Sequence, residues 1–151
     1  MKKNNKHFNL KVKLGTTIMI NGKKQTGEKI ILQSAKRLQK STNKSLKNLM
    51  HLAIINTTST FKLNEQVLKK GKRKTTRTSP SFITTNSSRN TISLKLLRNS
   101  ALKSQKATQF FDKFASEILT SVNSKSQAVD RKNEIQSQIF ANKRYLSRFR
   151  W

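Results

Sequence analysis

The sequence predicts a mainly α protein: a six-helix bundle with one basic β-hairpin inserted between the third and fourth helices. Three observations predict it. Apolar residues recur three and four positions apart over six separate segments, the spacing of a helix that buries one face. Between the third and fourth segments this period gives way to partial alternation from Phe61, then to threonine-rich sequence reaching Ile83, with Gly71 between the two. The steepest concentration of charge also falls there, with six cations in nine residues: Lys69, Lys70, Lys72, Arg73, Lys74 and Arg77. Such a run cannot be a core element, because each unpaired buried cation costs several kcal/mol.

Taken in order, residues 1–7 form a short basic arm carrying Lys2, Lys3 and Lys6. Leu10, Leu14 and Ile18 define the first helix, expected to stop at Asn21-Gly22, a pair suited to a left-handed C-terminal position. Lys23 and Lys24 then fall in a loop near a helix C-terminus, where the dipole favours cations and a phosphate could also be met. Thr26 is the expected N-cap of the second helix, with Glu28 in its first turn and a stripe of Ile30, Ile31, Ala35 and Leu38. Gln39 to Lys44 reads as a turn. The third helix has the cleanest face, Leu46, Leu49, Met50, Ala53 and Ile54, and ends in Thr57-Thr58-Ser59-Thr60.

The hairpin follows over residues 61–85. Gly71 supplies the positive φ of a tight reversal, and Pro80 suits an edge position, where its missing N–H need not pair. A charge run on its own would equally allow a solvated linker. Asn86-Ser87-Ser88 offers caps for the fourth helix, whose apolar positions are Ile92, Leu96, Leu97 and Ala101 and whose other faces carry Arg89, Lys95, Arg98 and Lys103. Thr108 is the expected cap of the fifth, with Phe111, Phe114, Ala115, Ile118 and Val122 on its face; these phenylalanines read as core in preference to base-stacking platforms. After a polar turn, Asn123 to Gln127, the sixth helix holds Val129, Ile135, Ile139 and Phe140. It runs into Arg144, Tyr145, Arg148, Phe149, Arg150 and Trp151; the last residue could fold back on the body or stack on RNA. With no internal repeat, residues 1–151 read as one domain.

Composition narrows the function. The net charge is +27, from 33 Lys plus Arg against 6 Asp plus Glu. Self-repulsion on that scale calls for a polyanion, and nucleic acid is the economical one, since each phosphate contact releases a condensed counterion. No apolar stretch approaches the roughly 20 residues of a membrane span. Without cysteine there is no disulfide, thiolate zinc site or cysteine nucleophile, and His7 and His51 stand too far apart in sequence for a metal cluster. The carboxylates are Glu28, Glu65, Asp112, Glu117, Asp130 and Glu134. Only Asp130 and Glu134 are close, and with Arg131 and Lys132 beside them a surface ion-pair role is expected. Gly22-Lys23-Lys24 lacks the rest of a phosphate-binding loop. No enzyme and no cofactor are expected, which leaves a basic RNA-processing enzyme without a catalytic constellation. The abundance of lysine, asparagine, serine and threonine is the bias of an A+T-rich genome. Met1-Lys2-Lys3-Asn4-Asn5-Lys6 has no apolar core of a signal peptide.

Two stretches resemble the seventh small-subunit ribosomal protein family of bacterial type. Ile18-Met19-Ile20-Asn21-Gly22-Lys23-Lys24-Gln25-Thr26, followed by Glu28 and Ile30, is similar to that family's junction between helices one and two. Ala141-Asn142-Lys143 through Tyr145 to Arg148-Phe149-Arg150-Trp151 resembles its closing segment. Arg89-Asn90, Ala115-Ser116-Glu117-Ile118 and Ala128-Val129 fall in matching order between them. The sequence departs from the family in its shortened basic arm, in Lys95-Leu96 where the family has Arg-Trp, and in Gly71 where it has Gly-Gly. The resemblance implies six helices with a long hairpin between the third and fourth. It also implies a primary binder of small-subunit ribosomal RNA that nucleates the 3′ major, or head, domain. The hairpin would lie near the exit-site tRNA and the messenger exit path, with the eleventh and ninth small-subunit proteins as neighbours. Lys23, Lys24, the ribbon cations, Arg89, Lys95 and Arg98 would carry RNA contact. Lys2, Lys3, Arg131, Lys132, Arg148 and Arg150 are further candidates.

The drift and lysine bias favour an organelle-encoded member, in the mitochondrion ahead of a plastid or the bacterial cytoplasm. A histone-like DNA-compacting protein is the alternative that charge and ribbon alone would allow.

Overall fold

A computed structural model describes residues 9–71, 73–105 and 109–142. The order of elements is α1 Leu10–Ile18, α2 Lys24–Ser41, α3 Leu46–Thr57, β1 Phe61–Lys70, β2 Arg73–Phe82, α4 Asn86–Lys103, α5 Phe110–Val122 and α6 Gln127–Ala141. The bundle and its inserted hairpin are those the sequence predicts.

Helix α5 is the axis of the body and packs against α2, α3, α4 and α6. Its periodic face explains this: Phe114, Ala115 and Ile118 are buried at helical spacing. Around them close Leu38 of α2, the α3 face of Leu49, Met50, Ala53 and Ile54, and Leu94, Leu97 and Ala101 of α4. Phe114 stacks on Phe110 at 6.0 Å between ring centres. Small hydroxyls sit where helices cross. The Ser34 hydroxyl donates to the Ile30 carbonyl at 2.8 Å and reaches that of Phe111 on α5 at 3.2 Å. Buried Thr57 of α3 bonds Ser93 of α4, and Ser121 of α5 donates to Ser126 at 2.8 Å.

Several boundaries differ from expectation, each for a local reason. Helix α1 ends at Ile18, because Met19 turns extended while its N–H still donates to the Gly15 carbonyl at 2.9 Å. Asn21 and Gly22 are left-handed, with φ of 51° and 74°, but they form the reversal into α2 and do not cap α1. Helix α2 therefore starts at Lys24, with Lys23 at the N-cap and Thr26 inside the first turn, donating to the Lys23 carbonyl at 2.8 Å. Gly27 is buried where α2 passes Met19, and a Cβ there would meet the Met19 Cα at 3.6 Å, an ordinary contact. The helix runs on to Ser41, so the turn before α3 is shorter than Gln39 to Lys44.

The N-cap of α4 is Thr85, whose hydroxyl accepts from the Ser88 N–H at 3.4 Å, one residue ahead of the expected trio. Its buried face is Ser93, Leu94, Leu97, Ser100 and Ala101, with Ile92 and Leu96 only half-buried, because serines occupy the closest approaches. Gln109 holds the N-cap position of α5, and Thr108 lies outside the described residues. Phe140 of α6, grouped with Val129, Ile135 and Ile139 in the sequence pattern of that helix, is 70% exposed, while Ala128, Val129 and Ile139 are buried. The arm of residues 1–7 and the end of the chain, with Arg148, Arg150 and Trp151, lie outside the described residues.

Candidate nucleic-acid interface

The ribbon is an unbroken antiparallel ladder from Phe61 opposite Phe82 to Lys70 opposite Arg73. Gly71, at φ +62°, begins the reversal. Pro80 lies opposite Leu63 in a two-stranded sheet, the edge setting that tolerates its missing N–H. The register sets Lys69 opposite Lys74 and Lys70 opposite Arg73. Like charges directly opposite destabilise a ladder, so the far end of the ribbon works against its own pairing unless an anion lies across it. Arg77 stands further back, opposite Gln66, and Lys72 lies outside the described residues.

The base of the ribbon is built differently. Phe61 and Phe82 meet edge-on, their centres 5.6 Å apart. Ser59 is buried between α3 and β1, its hydroxyl donating to the Phe61 carbonyl at 2.8 Å. The Ile83 N–H donates to the Thr60 carbonyl at 2.9 Å, extending the ladder by one bond. Arg89, one turn into α4, places its guanidinium 5.1 Å from the centre of the Phe82 ring, and its Nε donates to the Ile83 carbonyl at 2.9 Å. Sequence reasoning assigned Arg89 to RNA; within the protein its guanidinium joins the ribbon to α4.

A polar depression of about 400 Å³ opens between α1 and α4, lined by Thr16, Thr17, Met19, Thr91, Lys95, Arg98 and Asn99. It brings Lys95 and Arg98 together on one helix face, as expected, and adds hydroxyl and amide groups that the sequence reading missed. Thr91, Lys95, Arg98 and Asn99 share a face at helical spacing, which was legible; the contribution of α1 was not. Thr91 and Thr16 anchor to their own helix, donating to Ser87 and Lys13 carbonyls at 2.8 and 3.0 Å.

Lys23 and Lys24 are exposed at the turn into α2. They stand at a helix N-terminus, not the expected C-terminus, so the dipole opposes them and an anion there would relieve both charges. Lys24 lies 3.9 Å from Glu28 in an exposed pair, a contact worth about 0–1 kcal/mol. The two α6 candidates each have a partner within the protein. Arg131 bonds Glu134 at 2.7 Å, the surface ion pair expected of that segment. Lys132 donates to the Asn56 carbonyl at the end of α3 at 2.8 Å, while the Asn56 amide donates to the Ser121 and Val122 carbonyls of α5.

Glu117 is the carboxylate that sequence reasoning passed over. It is buried, and its Oε1 accepts from the Ala128 N–H at 3.2 Å, so it caps the start of α6. Burial pushes its carboxyl above the usual range; the bonds from Ala128 and Ser126 pull the other way, and Asp130 adds to the rise. Elsewhere Asp112 faces Arg37 at 3.4 Å between α5 and α2. Among the described residues no three His, Asp or Glu groups converge on a metal site, and no helix is long and apolar enough to cross a membrane.

A family model described as ribosomal protein S7p/S5e matches residues 2–143. The sequence is also similar to the small ribosomal subunit protein uS7c of Euglena longa, 31% identical over 134 residues, which cover 87% of this chain and 72% of that protein.

Proposed function

The chain belongs to the ribosomal protein S7p/S5e family, a structural constituent of the small ribosomal subunit, and from this we propose that it is a primary binder of small-subunit ribosomal RNA. It nucleates the 3′ major domain, and the ribbon reaches toward the exit-site tRNA and the messenger exit path. The eleventh and ninth small-subunit proteins are its neighbours. The role is structural, not enzymatic.

The observation that carries the reading is the cation-against-cation register at the far end of the ribbon, Lys69 with Lys74 and Lys70 with Arg73. A ladder so arranged gains stability when a phosphate backbone lies along it, and Lys95 and Arg98 offer a second contact on the body. Phosphate contacts position such a protein and RNA shape supplies selectivity. The setting is an organelle ribosome, which the plastid-type relative supports; the lysine-rich drift of the sequence favours a mitochondrion within that class.

The test is a competition titration at about 150 mM salt, the near-physiological screening regime, between the 3′ domain of a bacterial-type small-subunit RNA and mixed-sequence duplex DNA. A preference of about 100-fold, roughly 2.7 kcal/mol, is expected. Equal affinity would overturn the reading and favour a histone-like DNA-compacting protein.

A further inference from the structure

We propose that the groove between α1, α2 and α3 receives one unstacked base of a single-stranded RNA segment. The inference rests on the RNA-binding reading above and assigns that reading a second, chemically different contact.

The groove is open to solvent and has a volume of about 560 Å³, within the roughly 300–1,000 Å³ usual for small-ligand sites. Its floor and walls are apolar: Leu14 and Met50 are buried at the bottom, and Ile31 and Leu46 are half-buried at the sides. Its rim is cationic. Lys11 of α1 and Lys47 of α3 are exposed on its two long walls, and no carboxylate lines it. Exposed His51 and Asn9 complete the rim; the Asn9 Oδ1 caps α1 by accepting from the Val12 N–H at 3.4 Å, which leaves its amide N–H groups and the His51 imidazole to meet a ligand.

A slot with apolar faces, polar groups at its mouth and a cation on either side matches the layout of one nucleotide. The faces of a base are apolar, its edge bonds to amide or imidazole, and phosphates flank it on both sides. The charge excludes a basic partner and selects an anionic one. Position supports the same occupant. Helix α1 is the wall shared by this groove and by the depression that holds Lys95 and Arg98. A strand crossing α1 would therefore set phosphates in one and a base in the other.

The test uses the full chain bound to a 3′-domain RNA transcript, with p-benzoylphenylalanine in place of His51 as a photo-cross-linker and, as control, in place of exposed Ile55 one turn along α3. A cross-link from position 51 to one unpaired nucleotide, absent from position 55, is expected. Lys11→Gln with Lys47→Gln should lower the salt slope of binding by about two units, one per phosphate neutralised. Cross-linking from position 51 to the chain itself or to another protein, or no RNA cross-link, overturns the proposal. So does an unchanged slope. Lys95→Gln with Arg98→Gln is measured in parallel: a lower slope there alone sinks the groove and keeps RNA binding, whereas a parent chain that binds the transcript no better than duplex DNA sinks both.

Discussion

Arg89 and Phe82 form the joint between the ribbon and the body: the guanidinium lies 5.1 Å from the ring centre while its Nε holds the Ile83 carbonyl at 2.9 Å. A charged hydrogen bond of this kind contributes about 1.5–3 kcal/mol, and an exposed cation–π contact about 0.5–1 kcal/mol. Arg89→Ala should therefore lower stability by about 2 kcal/mol. The salt slope of RNA binding should stay unchanged, because the cations proposed to meet phosphate all remain, and Arg89 contacts the Phe82 ring and the Ile83 carbonyl. A slope reduced by a full unit in this variant would return Arg89 to the RNA.

Replacing Lys69, Lys70, Lys72, Arg73 and Lys74 by alanine should leave the helical circular dichroism and Tm of the body intact or slightly raised. These positions belong to no apolar stripe, and opposed like charges are removed from the ladder. The salt slope of RNA binding should fall by about one unit for each phosphate that the ribbon no longer neutralises. An unaltered slope would show that the ribbon does not face RNA.

Asn56 ties three helices, donating to the Ser121 and Val122 carbonyls and accepting from Lys132. Asn56→Ala should cost about 1–3 kcal/mol in denaturant unfolding, the penalty for leaving such groups unsatisfied. Lys132→Met should cost less and leave the salt slope of RNA binding unchanged. A drop in slope would place the Lys132 ammonium on phosphate.

Glu117 gives the stability of the body a pH dependence. Burial raises its folded-state pKa above the ordinary value of 4.5, so the folded protein keeps the proton to higher pH than the unfolded chain does. The stability this group contributes is thus fully present below the unfolded pKa and is lost as pH rises through the folded one. Glu117→Gln keeps an oxygen for the Ala128 N–H and removes the buried charge. Its Tm relative to the parent should climb between pH 4 and pH 7; a constant difference over that range would rule the effect out.

The fold was legible where apolar side chains mark the period. Leu49, Met50, Ala53 and Ile54 all proved buried, and the ribbon showed itself through alternation, threonine and an unburiable charge run. What the sequence hid depends on residues that carry no such signal. Ser93 and Ser100 lie on the buried face of α4, yet a reading by hydrophobicity ranks them as surface and shifts the face toward Ile92 and Leu96. In a chain this rich in hydroxyls, Thr85 and the residues after it are equivalent cap candidates until backbone dihedrals decide. The first turn of α2, Lys24 to Gly27, is polar and small, so the helix seemed to begin later. Glu117 looked like one more surface acid because its burial comes from α5 packing against α6. The apolar groove is a product of three helices meeting, and the candidate cations could be named individually without showing that Lys132 bonds the end of α3 and Arg89 the base of the ribbon.

The ribbon also bears on how the chain behaves before it meets RNA. Each of its strands pairs with one other strand, so neither outer edge is covered by a third, an opening at which another copy could add. Cations near the tip repel a second ribbon as strongly as they attract a phosphate. The same lysines thus act as gatekeepers against edge-to-edge aggregation in the free protein, and a short polyanion that neutralises them without covering the edges should precipitate it.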